Sequence, residues 1–148
     1  MKKIWLIIVL IFSTTLISSC VKDIEDTNGD STALCYYTEQ DILSGKYQIT
    51  EIGSINSQVN NQYSYSVKKA NGIQKLNTIK PKGQSVIVEV NLQILKGNAQ
   101  LVLCNDDKIV YTFNEVDSFV IDPLYEELKL VLACESCELK LKYSLSVQ

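Results

Sequence analysis

The chain has 148 residues, with 14 basic and 17 acidic side chains and no histidine, and all of its basic residues are lysine. The missing imidazole excludes Ser-His-Asp and Cys-His catalysis, and the missing guanidinium removes the usual bidentate ligand of phosphate, carboxylate and guanine. The length is that of one small domain.

The first 20 residues have the layout of a secretory signal, with a basic start, an apolar run over residues 4–12 and small residues up to Cys20. The apolar run is shorter than the roughly 20 residues of a membrane-spanning helix. Ile17, two serines and Cys20 form a stretch that resembles the lipobox of bacterial lipoproteins. The resemblance implies that residues 1–19 are a cleaved signal peptide and that Cys20 becomes the lipidated N-terminus. A plain secreted protein or an uncleaved anchor is the alternative.

Removal of this signal leaves 129 residues with 12 lysines against 17 acids, a net charge near −5, and no tryptophan. An acidic chain without arginine is unsuited to nucleic acid, whose binding depends on clustered lysine and arginine. It is also unsuited to anionic lipid, so acyl chains on Cys20 must attach it to the membrane. We therefore expect a protein of the cell envelope, lipid-anchored on the extracytoplasmic side of a bacterial membrane, with no nucleic-acid partner.

Residues 20–32 are predicted to be the lipidated cysteine and an acidic tether, because they are polar and lack hydrophobic periodicity. The acidic residues directly behind Cys20 resemble an export signal of some Gram-negative lineages, which implies exposure at the cell surface. Asp26, Asn28 and Asp30 have the spacing of calcium ligands. The glycine and the closing glutamate of a calcium loop are absent, so a solvated tether is favoured.

The segment 33–148 is predicted to be one folded domain. Thr38 and Asp41 predict the cap of one helical turn that stops at Gly45. Nine candidate strands follow, at residues 46–52, 63–68, 73–79, 85–95, 99–104, 108–113, 118–121, 127–134 and 137–147. This spacing predicts an all-β fold, a single antiparallel β-sandwich or jelly-roll-like domain of about eight to nine strands.

Alternating apolar residues predict how some of these strands pair. We expect hairpins with turns at residues 97–98, 105–107 and 135–136. In the last of these, Leu132 would face Leu139, and in the second, Leu103 would face Ile109.

Four cysteines remain besides Cys20, namely Cys35, Cys104, Cys134 and Cys137. An even number favours disulfides in an exported protein, with reduced or buried thiols as the alternative. A bridge between Cys134 and Cys137 would close a short, strained ring. Zinc binding by the four thiolates and thioredoxin-like chemistry are less favoured, because the acidic context around Cys134 offers no helix N-terminus or cation. We expect no metal and no cofactor.

Few residues remain that could support catalysis. Asp106 and Asp107 lie in a predicted turn, and Glu126 and Glu127 would point to opposite faces of a strand. No carboxylate pair is marked as an acid–base pair, so we expect that the protein is not an enzyme.

Tyr63 and Tyr65 are the candidate ligand face, since they share one side of a strand and have amide side chains nearby. The alternative is that Tyr63, Tyr65 and Val67 form the buried stripe of an ordinary strand. We expect a membrane-anchored, non-catalytic binding or structural module with an envelope protein or a glycan as its partner. A carbohydrate-binding lipoprotein using this face is the alternative, and an enzyme of unknown type is a distant third.

Overall fold

The computed structural model describes residues 37–148. These residues form one helix and seven strands: α1 Glu39–Leu43, β1 Ile49–Ile52, β2 Ile55–Val59, β3 Gln62–Ile79, β4 Val86–Cys104, β5 Ile109–Phe113, β6 Val116–Ile121 and β7 Leu128–Val147. The predicted signal peptide, Cys20 and its tether, the calcium-like spacing and Cys35 lie outside the described residues.

The helix α1 is the single turn that the sequence predicts. The Thr38 hydroxyl accepts a hydrogen bond from the Asp41 amide at 3.2 Å, and the Asp41 carboxylate accepts one from the Thr38 amide at 2.9 Å. This reciprocal capping box gives the Thr38 amide a partner and adds to the 3.1 Å hydrogen bond that the Asp41 amide donates to the Thr38 carbonyl. The helix ends at Leu43, with Ser44 as its C-cap and Gly45 next at φ +69°.

All strand pairs are antiparallel and belong to one sheet with the order β1-β3-β7-β4-β5, in which β2 also pairs with β3 and β6 with β4. The predicted all-β class is confirmed. Three long strands, β3, β7 and β4, take the place of six predicted short ones, and β7 lies between the other two.

The long strands bend at one common level. The pairing of β3 shifts register between Val67 and Gly72, and that of β4 shifts between Ile94 and Asn98. On β7, which lies between them, Ser136 has φ +45°. A further shift in β3, between Lys75 and Asn77, lies beyond this level. Such bulges bend a strand without ending it.

The bends divide the sheet into two halves. Half-sheet A consists of β2, β6 and residues 62–67, 86–94 and 138–147 of the long strands. Half-sheet B consists of β5 and residues 73–79, 99–104 and 128–134. Leu139 of half A and Leu130 of half B are both fully buried in the same hydrophobic core. The halves therefore fold over one another as a sandwich.

The predicted hairpins at residues 97–98 and 135–136 are wrong. Leu132 pairs with Gln74 and Leu101, whereas Leu139 pairs with Val67 and Ile94. The local signals of a bulge and of a tight turn are similar here, because both combine a residue of positive φ with alternating apolar neighbours.

The predicted hairpin at residues 105–107 does form, between β4 and β5, but its register differs. Leu103 pairs with Tyr111 instead of Ile109, since a bulge at Cys104 shifts the pairing.

A second hydrophobic cluster lies on the outer face of half-sheet B. It contains Ile42 of α1 together with sheet residues that face away from the sandwich interior, namely Ile73, Val102, Cys104, Val131 and Ala133. Half-sheet B is thus buried on both faces, whereas no element within residues 37–148 forms a matching cluster on the outer face of half-sheet A.

Candidate functional site

The outer face of half-sheet A forms an open groove, here called the outer groove, with a volume of about 420 Å³. Its lining comes from β2, β3, β7 and β4: Ser57, Val59, Gln62, Tyr63, Ser64, Glu89, Val90, Asn91, Lys142, Tyr143 and Ser144. Successive side chains of a strand point to opposite faces, so the residues beside the buried ones present polar groups outward.

The outer groove contains donors, acceptors and both signs of charge. The Ser144 hydroxyl donates to the Glu89 carboxylate at 2.9 Å. Lys142, on the strand next to Glu89, is exposed. Val59 is an exposed apolar residue at the β2 side. The surface can bind polar groups without any rearrangement of the core.

Tyr65 of the predicted ligand face points into the sandwich. The residue is only 3% exposed, and its hydroxyl donates to the Glu51 carboxylate at 2.9 Å. Burial, followed by the hydrogen bond to Glu51, raises the pKa of Tyr65. Tyr65 and Val67 therefore follow the buried-stripe alternative, and Tyr65 cannot act as an exposed stacking platform.

Tyr63 lies closer to the rim and is half-buried. Its ring stacks on Tyr143 with centroids 4.5 Å apart and planes 5° apart. Burial raises the pKa of Tyr143 to about 12, against the opposing effect of a hydrogen bond with Asn77. The aromatic partner from β7 could not be assigned from the sequence, because its register with β3 depends on a pairing between distant segments. A ligand contact by Tyr63 stays a prediction.

A second cavity of about 330 Å³, here called the edge cleft, shares Ser57, Tyr63, Ser64 and Tyr143 with the outer groove. It is lined by polar and aromatic residues of β2, β3 and β7: Asn56, Ser57, Gln58, Tyr63, Ser64, Tyr65, Gln74, Lys75, Leu76 and Tyr143. The Gln74 Oε1 atom is buried, and no protein group in the described chain donates a hydrogen bond to it. Gln74 was not predicted as a site residue, although a carboxamide between the apolar residues Ile73 and Leu76 was a usable signal.

The described cysteines are buried thiols at Cys104, Cys134 and Cys137. A hydrogen bond with Cys134 lowers the pKa of the Cys137 thiol against the opposing effect of burial, whereas burial raises that of Cys104. Cys104 belongs to the outer cluster and the other two to the inner core, so the sheet separates them. Disulfide formation, including any with Cys35, stays a prediction.

Two of the carboxylates considered in the sequence analysis lie in ion pairs. Asp106 pairs with Lys129, and Glu127 pairs with Lys80 at 2.8 Å. The hydrogen bond from Lys80 lowers the pKa of Glu127, and a backbone hydrogen bond from Asn114 lowers that of Asp117. A general acid at neutral pH needs a raised pKa instead. Within residues 37–148, no group of three or more histidine, cysteine or acidic residues could hold a metal ion.

Comparisons with known proteins add little to this geometry. No protein-family model matches the sequence, and a search of curated proteins finds no match. Among solved structures, the chain is similar to a mutant of a carbohydrate binding module of family 29, with 11% identity, 68% of this chain and 82% of that chain covered, and a TM-score of 0.31. In the described part of the chain, no helix has the length and apolar character required to cross a membrane.

Proposed function

We propose that this chain is a non-catalytic binding module, held on the extracytoplasmic side of a bacterial membrane by lipid on Cys20 and exposed at the cell surface. The outer groove is the observation that supports binding. It joins side chains of four strands in one open surface of about 420 Å³, within the range of about 300–1,000 Å³ of small-molecule sites. Side chains on paired strands are held more rigidly than side chains on loops, so little ordering is needed when a ligand binds.

Site-specific photo-crosslinking in the full-length protein in its native envelope tests the groove. A photoreactive residue at Asn91 lies in the groove, and one at Lys108 lies in an exposed turn outside it. We expect a discrete adduct from the Asn91 position that is absent from the Lys108 position. The same adducts from both positions, or none from Asn91, would contradict the proposal.

The lipid anchor is tested separately by metabolic labelling with a palmitate analogue. The lipobox resemblance at residues 17–20 predicts a labelled wild-type protein and an unlabelled Cys20→Ser variant. An unlabelled wild type, or a labelled variant, would rule out this anchor.

A second candidate function is carbohydrate recognition, and the composition of the edge cleft favours it. Three carboxamide residues and three tyrosines line this cleft. Carboxamides both donate and accept hydrogen bonds, as sugar hydroxyls do, and tyrosine combines an apolar ring with a polar tip. An array of neutral oligosaccharides tests this function, and binding to none of them would remove it.

A further inference from the structure

We infer that the edge cleft is the site of carbohydrate recognition and that it takes one hydroxyl-bearing ring of a neutral glycan, with Gln74 Oε1 accepting a hydrogen bond from a ligand hydroxyl. This inference rests on the second candidate function and names the site and the ligand class for it.

Gln74 occupies a position where its neighbours in the sheet are apolar. It lies just beyond the bend of β3 and pairs with Leu132 of β7, which in turn pairs with Leu101 of β4. Both leucines are fully buried in the inner core. A carboxamide in this row is costly to the fold, because its buried acceptor has no protein donor. Gln74 lines the cleft, so a turn of its carboxamide toward the cleft would bring Oε1 to a ligand hydroxyl, which supplies the missing donor.

The groups around Gln74 are almost all neutral. Asn56 and Gln58 are exposed carboxamides of β2 on the opposite wall of the cleft. The Gln58 Nε2 atom lies 3.4 Å from the Tyr63 hydroxyl. No carboxylate lines the cleft. Both walls therefore offer groups suited to hydroxyls rather than to a charged ligand.

The one cation of the lining is directed elsewhere. The Lys75 Nζ atom lies 5.9 Å from the centre of the Tyr47 ring. Tyr47 packs against the outer cluster of half-sheet B, on the face opposite the sandwich interior. Lys75 therefore places its charge beside Tyr47 on that face, and the other residues that line the cleft are uncharged.

The size of the cleft fits one ring better than an extended chain. Its volume of about 330 Å³ is near the lower end of the range of small-molecule sites, about 300–1,000 Å³. The stacked pair of Tyr63 and Tyr143 forms part of its lining and supplies rigid apolar surface. A ring with hydroxyls on its edge and carbon–hydrogen bonds on its face matches this combination.

The test uses the full-length lipidated protein in detergent and an array of neutral hexose and pentose oligosaccharides of two to six units. Calorimetry with the best-bound oligosaccharide then compares the wild type with Gln74→Leu and with Gln93→Leu. Gln93 is the matched control, because it is an exposed glutamine of β4 outside the cleft. We expect Gln74→Leu to weaken binding at least about tenfold, because the ligand loses its buried acceptor, and Gln93→Leu to leave it unchanged.

Two further measurements keep the result unambiguous. The melting temperature of Gln74→Leu should equal or exceed that of the wild type, since leucine removes the unpaired buried acceptor. Gln58→Ala alters an exposed residue, so it should fold normally and also weaken binding.

Wild-type affinity in Gln74→Leu, or binding of no oligosaccharide on the array, would overturn the inference. If the Asn91 adduct persists in either case, the binding module in the outer groove still stands. Loss of both the adduct and oligosaccharide binding would overturn the proposed function as well.

Discussion

The same three strands form two outer faces with opposite character. In half-sheet B, Val131 faces outward and is fully buried beneath the cluster that Ile42 completes. In half-sheet A, Asn91 and Lys142 face outward and are exposed. A strand that is buried on both faces contributes to stability at every position, whereas a strand buried on one face can vary its outer residues freely. The covered outer face of half B is therefore structural, whereas the outer face of half A is free to carry the binding proposed for the outer groove.

The largest expected effect comes from placing the same negative charge on each of the two outer faces. Val131→Asp buries a carboxylate without a partner and should lower the free energy of unfolding by at least about 3 kcal/mol. Gln93→Asp, on the exposed face, should change it by less than about 0.5 kcal/mol. Chemical denaturation measures both, and equal losses would show that the two faces do not differ.

Truncation of Ile42, which covers the outer face of half-sheet B, should have the next largest effect on the free energy of unfolding. Ile42 is 1% exposed, so Ile42→Ala should cost about 3 kcal/mol through lost burial and a cavity. Val116 is 76% exposed, and Val116→Ala should cost less than about 0.5 kcal/mol. A loss below about 1 kcal/mol for Ile42→Ala would mean that α1 does not hold the outer cluster together.

Removal of the helix cap should have a smaller effect. Thr38→Ala deletes the hydroxyl that accepts from the Asp41 amide and should lower the free energy of unfolding by about 1 kcal/mol. Thr38→Ser keeps the hydroxyl and should therefore retain most of the stability that Thr38→Ala loses. Equal stability of the alanine and serine variants in urea denaturation would argue against the capping box.

The smallest expected effect is a pH dependence of the stability that the capping box of α1 contributes. The hydrogen bond with the Thr38 side chain lowers the pKa of Asp41 below its ordinary value of 3.8. The stabilisation of the fold by the ionised Asp41 carboxylate is therefore fully present above pH 3.8. It is lost as the pH falls through the lowered pKa of Asp41 in the folded state.

Asp41→Asn removes this dependence. The difference in melting temperature between wild type and Asp41→Asn should shrink between pH 7 and about pH 2. Asp107→Asn, in an exposed turn, removes the same charge and controls for net charge. A difference in melting temperature that stays constant with pH would contradict the stabilising role of the ionised Asp41 carboxylate.

The sequence predicted the all-β class, the capped turn and the polar–apolar alternation, because each depends on neighbours along the chain. The course of β7 could not be predicted locally. Whether the chain reverses or bends at residues 135–136 is decided by its pairing with β3 and β4, which lie far away in sequence. Because the observed pairings differ from the predicted hairpin, the partner of every leucine along β7 differs as well.

The set of residues that lines the edge cleft could not be predicted, for the same reason. Tyr63 lines a cavity, but Tyr65 is buried in the inner core, where its hydroxyl donates to Glu51. Gln74 and Tyr143 join Tyr63 only through pairings across the folded sheet. The sequence pattern of a single strand does not predict that these three side chains line one cavity.

The continuity of β3, β4 and β7 through both halves has a consequence for how the domain forms and fails. Gln62 pairs with Ser144 near one end of the sheet, and Ile79 pairs with Leu128 at the other, so one strand pair closes loops of very different length. Such non-local pairing makes folding slow for a chain of this size. Neither half can detach without breaking strands that also hold the other, so we expect one cooperative unfolding transition and no stable fragment corresponding to half a sandwich.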